Sequence, residues 1–152
     1  MHTVYPFRFG QLLLTKRSDK LISVKYHPLD ADLSGIERNP RIFKTETDLL
    51  DKYFQGKNPD FSVLKLDFST ASSFQRKVWS LARKIPYGST VSYKHLAEKI
   101  GHKGYRSIGQ ALHRNPWLIV VPCHRVVRCN GGLGGFGAGL QVKKYLLDLE
   151  KK

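Results

Sequence analysis

The hydrophobic pattern of this 152-residue chain changes character at one short polar stretch, Ser69-Thr70-Ala71-Ser72-Ser73. Before it, Val4–Phe9, Gln11–Thr15 and Leu21–Tyr26 are short runs rich in β-branched and aromatic residues, interrupted at Gly10 and at Ser18-Asp19. Such runs predict strands in a meander. A polar connection over 28–41 follows, then Thr45 stands where it could cap a helix over Glu46–Gln55, with Asp48 three residues on and Gly56 as its stop. Ser62–Leu66 reads as one more short strand. After the polar stretch the period turns helical. Phe74, Val78, Leu81 and Ala82 share a face behind Ser72 or Ser73 as caps, and the helix ends before Pro86. Ser92 caps a second helix that stops at Gly101, the turn His102-Lys103-Gly104 follows, and a third helix spans Tyr105–Arg114. Two short helices joined by a tight glycine-containing turn fit a helix-turn-helix. The expected fold class is α+β, with a small strand-and-helix domain over 1–68 and a winged helix-turn-helix domain over 69–152.

Charge divides the chain at the same place. Residues 1–68 carry 11 basic and 9 acidic side chains, whereas residues 69–152 carry 15 basic and 3 acidic ones, out of a total net charge of +14. Clustered cations release counterions from a phosphate backbone, so the second half points to nucleic acid, a solubilising basic surface being the blander alternative. Ser107, Gly109 and Ala111 on the third helix are small, which suits close approach of either DNA or a packed protein neighbour. Composition is that of an ordinary globular protein, with 41% hydrophobic and 25% charged residues. The longest apolar run, Trp117–Val121, is far below the roughly 20 residues of a membrane span. Two cysteines, Cys123 and Cys129, are too few for a disulfide scaffold and suggest a reducing compartment. A membrane protein, a secreted mini-protein and a disordered tail are therefore not expected.

Chemistry concentrates near the end. A strand-like apolar run, Leu118–Val121, delivers Pro122 and then Cys123 and His124 side by side. A thiolate is a strong nucleophile when a neighbouring base takes its proton. Adjacent side chains diverge, however, so a turn at Pro122 or a bridging water would be needed, and an isolated Cys-His pair more often is a buried thiol beside an incidental histidine. Gly132-Leu133-Gly134-Gly135-Phe136-Gly137 has the form G-x-G-x-x-G, but too little chain follows for a dinucleotide fold. It reads better as a pocket wall whose amides a ligand can approach. Glu150 alone would be a solvated terminal charge, and gains interest only if the fold brings it to His124.

Phe74-Gln75-Arg76-Lys77-Val78-Trp79, Ile85-Pro86-Tyr87-Gly88, Val91-Ser92-Tyr93, Arg106-Ser107-Ile108-Gly109, Asn115-Pro116 and Pro122-Cys123-His124-Arg125-Val126 stand in the order of the O6-alkylguanine-DNA alkyltransferases. The chain resembles that family from about Phe74 to Glu150. The resemblance implies direct, irreversible transfer of an O6-alkyl group from a flipped guanine to a cysteine, once per molecule and without cofactor or metal. It implies Cys123 as nucleophile, His124 as its base through a water, Glu150 as the group orienting His124, and Asn115 as a brace. It implies that Tyr93 donates to guanine N3 and that the carbonyls of Cys123 and Val126 recognise the exocyclic amine. Phe136 and Gly137 would line the pocket, and Lys143 would polarise it. Arg106 would enter the base stack, with Tyr105, Ser107, Gly109 and Ala111 facing the minor groove of double-stranded DNA.

Where the family usually has Tyr-Ser, this chain has Phe136-Gly137, which puts its substrate range in question. Cys129 replaces a frequent Ser, and the zinc ligands of some animal members are missing. Two other readings compete with the enzyme. A non-enzymatic alkyltransferase-like protein typically carries Trp in place of the nucleophile. A plain winged-helix regulator leaves Pro122–Val126 unexplained. A monomer in the cytoplasm, or the nucleus of a eukaryote, is expected.

Overall fold

The computed structural model describes residues 1–101 and 104–151. The polypeptide forms two compact units, Met1–Asp67 with Pro116–Val120, and Phe68–Asn115 with Val121–Lys152.

In the first unit, β1 (His2–Phe7), β2 (Gly10–Arg17) and β3 (Lys20–His27) form an antiparallel meander in the order β1-β2-β3. Gly10 opens β2, and the first turn is Arg8-Phe9. Alternation along β2 sends Leu12 and Leu14 inward, where both are fully buried. Helix α1 spans Lys44–Phe54 and buries Leu50 and Tyr53. Its start differs from expectation. A short 3-10 turn over Pro40–Phe43 runs straight into it, so Thr45 lies inside the helix and no side chain caps it. The preceding turn replaces a capping side chain at the helix entrance. Ser62–Leu66 is no strand either. Phe61–Val63 is a 3-10 turn capped by Asp60, and only Leu66 makes a single bridge to Leu21.

The run Leu118–Val121 reads as strand-like, but this part of the chain supplies one bridge, Val24 to Trp117, just before it and then turns. The Val24 amide donates to the Pro116 carbonyl at 2.8 Å, and the Trp117 indole donates to the Leu21 carbonyl at 2.8 Å. Ile119 sits at φ 72°, a region that β-branched residues seldom occupy. An apolar run reports burial, which all of Trp117–Val121 shows, and burial alone does not require a ladder.

The second unit is largely helical. Helix α2 (Ser73–Arg83) begins with a reciprocal capping box between Ser72 and Gln75. Strand β4 (Val91–Ser92) leads into α3 (Tyr93–Lys99), whose N-cap is Ser92, and α4 spans Tyr105–His113. The expected turn at His102-Lys103 lies outside the described residues. Val78 and Ala82 of α2, and Ile108 and Leu112 of α4, are buried, and the Trp79 indole donates to the Ala111 carbonyl at 2.7 Å. A 3-10 turn over Cys123–Arg125 precedes β5 (Val126–Val127), and α5 (Leu140–Glu150) closes the unit. Strand β5 pairs in parallel with β4, Val91 opposite Val126. This short pairing places the first residue of α3, Tyr93, beside the Cys123 turn.

Candidate active site

Pro122 ends the buried run, and the chain turns at once into the 3-10 turn Cys123–Arg125, so three chemically different side chains leave one tight turn. Cys123 is buried. Its sulfur receives the Asn115 amide nitrogen at 3.3 Å, and the same nitrogen donates to the Val121 carbonyl at 2.8 Å. Asn115 follows the C-cap of α4, so this side chain ties the end of that helix to the cysteine turn. Burial pushes the Cys123 thiol up, while the Asn115 hydrogen bond and the Lys143 charge pull it back.

His124 is fully buried, and its Nε2 lies 2.6 Å from Glu150 Oε2. Arg125 approaches the same carboxylate with a fork, Nε at 2.7 Å from Oε1 and Nη2 at 3.1 Å from Oε2, and its Nη1 donates to the Ile85 carbonyl at 2.7 Å. The Gly88 amide adds a longer bond to Glu150 Oε1 at 3.4 Å. Gly88 has φ 80°, and a Cβ there would stand 3.1 Å from the Glu150 carbonyl, so this close approach favours glycine. Burial pulls the His124 imidazole down, opposed by its bond to Glu150. The resting pair is therefore a neutral thiol and a neutral imidazole.

Lys143 has no exposed surface. Its ammonium donates to the carbonyls of Val126 at 2.7 Å, Leu133, and Gly135 at 3.2 Å, and it lies 5.8 Å from the centre of the Tyr93 ring. Burial lowers its pKa to about 8, with Cys123 acting to raise it. Three bonds match the three protons of an ammonium. The lysine thus pins the glycine loop to β5. Tyr93 donates to the Gly135 carbonyl at 3.4 Å, and burial pushes its phenol up. Gly134 has φ 74°, and any Cβ there would meet the Tyr93 hydroxyl at 2.7 Å, so the loop needs glycine twice over at this point.

A cavity of about 770 Å³ opens in front of Cys123, within the range of small-molecule sites. Tyr93, Tyr105, Arg106, Gly109, Cys123 and Phe136 are among its walls. The Phe136 ring stands edge-on to His124 at 6.5 Å. Gly137 is exposed beside His113, where a Cβ would find ordinary contacts at 3.8 Å. Arg106 and Tyr105 are exposed on α4, and Cys129 is exposed on the cavity wall.

The small residues of α4 do not all face the same way. Ser107 and Ala111 line a separate cavity of about 250 Å³ with Ser72 and Gln75, and Ala111 is buried. Positions 105 and 109 differ from 107 and 111 by half a turn of helix, which separates the two pairs. The carbonyls of Cys123 and Val126, expected to accept from the exocyclic amine of guanine, each hold one donor, the Val126 amide on Cys123 and Lys143 on Val126, and each keeps a second lone pair. The residue that sequence reasoning left without a role is Arg125. Its signal was a cation set between Cys123-His124 and the apolar pair Val126-Val127, in a half with 3 acids to receive it.

Residues 73–152 match the model of the 6-O-methylguanine DNA methyltransferase DNA-binding domain, and residues 1–68 match the ribonuclease-like domain of the same methyltransferases. The chain belongs to this family. It is 42% identical over 154 residues to the methylated-DNA–protein-cysteine methyltransferase of Methanosarcina acetivorans, covering 98% of this chain and 97% of the relative. The enzyme of the same name from Metallosphaera sedula is 38% identical over 148 residues, covering 96% and 90%. Among solved structures, the Mycobacterium tuberculosis OGT in complex with DNA superposes with a TM-score of 0.86 at 35% identity, covering 99% of this chain and 92% of that one. The α+β architecture, a sheet-bearing first unit and a helical second unit of the DNA-binding type, is thus that of its relatives.

Proposed function

We propose that this protein repairs DNA by transferring the alkyl group of O6-alkylguanine to Cys123, once per molecule. The observation that carries this reading is a buried cysteine at the foot of a cavity, in one turn with a histidine that is hydrogen-bonded to a buried carboxylate. In the transfer, the Cys123 proton passes through a water to His124, and sulfur attacks the alkyl carbon. The C–O6 bond breaks, and its electron pair leaves with the guanine. A neutral thiol and imidazole make the first step uphill. The Asn115 amide and the Lys143 charge offset part of that cost by favouring thiolate. Tyr93, exchanging its long 3.4 Å bond to the Gly135 carbonyl for one to guanine N3, supports the departing guanine as a donor, since a raised phenol pKa favours keeping its proton. Glu150 positions His124, and Phe136 with Gly137 forms the wall against the alkyl group.

Double-stranded DNA is the substrate carrier, because members of the family act on DNA and the second half of this chain is strongly basic. O6 lies inside the base pair, so the guanine is rotated out of the stack. Helix α4 approaches through the minor groove, with Arg106 filling the vacated place and Tyr105 and Gly109 beside it. The protein acts as a monomer. Among the described residues no helix is long and apolar enough to cross a membrane.

Incubation with a duplex holding one O6-methylguanine, followed by peptide mass spectrometry, tests the reaction. One methyl on the Cys123 peptide, saturating at one per protein and absent in Cys123→Ala, is expected. Tight lesion binding with unmodified Cys123 would make the protein a damage sensor instead. Arg106→Ala should slow repair of duplex about tenfold while sparing reaction with the free alkylated base, and equal losses on both would remove its role in flipping.

A further inference from the structure

We propose that Arg125 is a positioning residue for alkyl transfer, whose guanidinium neutralises Glu150 so that this carboxylate orients His124 without holding it as an imidazolium. A carboxylate buried beside an imidazole has two ways to balance its charge. It can hold the imidazole protonated as an ion pair, or it can be balanced by another cation. Here the second cation is built in. Arg125 contacts both oxygens of Glu150 and is itself fixed by the Ile85 carbonyl and by the Tyr87 ring, 5.7 Å from the guanidinium carbon. Guanidinium is suited to this because it stays charged and matches a carboxylate with two parallel bonds.

The charge count around His124 supports the assignment. Glu150 and Lys143 face it from α5, and Cys123 and Arg125 flank it on its own turn, with Tyr87 next to the Glu150–Arg125 pair. With Arg125 and Lys143 both charged, Glu150 is the one anion among these groups while the thiol is neutral. A protonated His124 would be a third buried cation against it. Arg125 and Lys143 both act to lower the histidine's proton affinity. The proton on Nε2 therefore points to Glu150, and Nδ1 is the nitrogen that takes up the Cys123 proton. Replacing the guanidinium with an apolar chain leaves Glu150 to draw a proton onto His124, and a protonated imidazole accepts nothing from the thiol.

The inference rests on the alkyl-transfer reading, and the two fail separately. An unmethylated Cys123 overturns that reading, whereas the state of the histidine ring decides this one. The experiment is 15N NMR of the histidine rings in the full-length protein across pH 5 to 9, with single-turnover transfer rates measured in parallel. Wild-type His124 should be neutral at pH 7 with the proton on Nε2. In Arg125→Met its pKa should rise by about one unit, so that transfer at pH 5 falls about two- to fivefold more than at pH 8.5. Arg125→Lys keeps the charge and should keep the wild-type pH dependence at a lower rate throughout. An imidazolium in the wild type at pH 7 overturns the proposal, and this holds even if Arg125→Met does not fold. Equal losses at every pH in a folded Arg125→Met, with His124 titrating as before, also overturn it and leave Arg125 a purely structural residue.

Discussion

Each unit of this protein buries one glutamate, and the two are used differently. Glu46, on α1 of the first unit, is 4% exposed and meets one cation, Lys16, at 2.9 Å. Its other oxygen, Oε1, has no donor among the described residues. Lys16 also reaches the Ile42 carbonyl and lies over the Phe43 ring, so the pair fastens the sheet to the turn that starts α1. Glu150, at the end of α5 in the second unit, is 3% exposed, and both oxygens are taken, by Arg125, His124 and the Gly88 amide. Burying a carboxylate is costly in both places. At Glu46 the return is a local fastening. At Glu150 the return is a histidine held in one orientation next to a thiol. A fully bonded carboxylate beside a titratable partner marks function more sharply than burial does.

Glu150→Gln puts the most strain on that contrast. The amide can still meet His124 but no longer balances Arg125, which becomes an uncompensated buried charge. Transfer to Cys123 should slow by about 100-fold, the order of effect of a displaced general base. Stability should fall by about 3 kcal/mol, because removing one partner of a buried ion pair strands the other. Single-turnover kinetics and urea unfolding measure the two. A variant that loses stability but transfers at the wild-type rate would reduce Glu150 to the same kind of fastening as Glu46.

Lys143 sharpens the contrast from the other side, because it is a buried cation whose burial works against folding. Its folded pKa of about 8 lies below the ordinary 10.5. Between those values the unfolded chain holds a proton that the folded protein has released, so stability rises with pH across that window. Transfer should do the reverse. As pH climbs through 8, the charge that favours the Cys123 thiolate disappears, and the glycine loop loses a donor to its carbonyls. Transfer by the wild type should decline above pH 8, and Lys143→Met, slower by about tenfold at pH 7, should lack that alkaline limb. Wild-type stability that falls from pH 8 to 10 relative to Lys143→Met would show that the three carbonyl bonds outweigh the cost of burial.

How much of this could be read in the chain itself depends on the kind of information each feature needs. Helices α2, α3 and α4 announce themselves through local signals, Ser72 with Gln75, Ser92, and apolar residues at helical spacing. Cys123 and His124 stand out because they are adjacent and follow a proline. Other features exist only once the chain is folded. Leu118–Val121 reads as a strand, yet Ile119 turns with positive φ, because apolar composition is blind to which backbone groups find partners. Arg125 belongs to a recognised pentapeptide, but its bond to Glu150 spans 25 residues and no local pattern encodes it. The carbonyl cage of Lys143 is equally silent, since backbone oxygens leave no trace in a sequence. The split of Ser107 and Ala111 from Tyr105 and Gly109 was legible in principle, from helical geometry alone, and small size obscured it.

The mildest test is Glu46→Gln, and its value lies in what it leaves alone. Gln keeps the shape and can still accept a bond from Lys16, which also retains the Ile42 carbonyl and the Phe43 ring. Removing the negative charge ends one ion pair. It also gives the oxygen that lacks a donor an uncharged replacement, which is cheaper to keep out of water. The two effects oppose each other, so the net change should be about 1 kcal/mol or less in urea unfolding. Methyl transfer to Cys123 should proceed at the wild-type rate, because nothing in the site's hydrogen-bond network involves Glu46. A Glu46→Gln protein of normal stability that transfers tenfold more slowly would mean that the first unit takes part in the reaction, and the contrast between the two glutamates would then be one of degree.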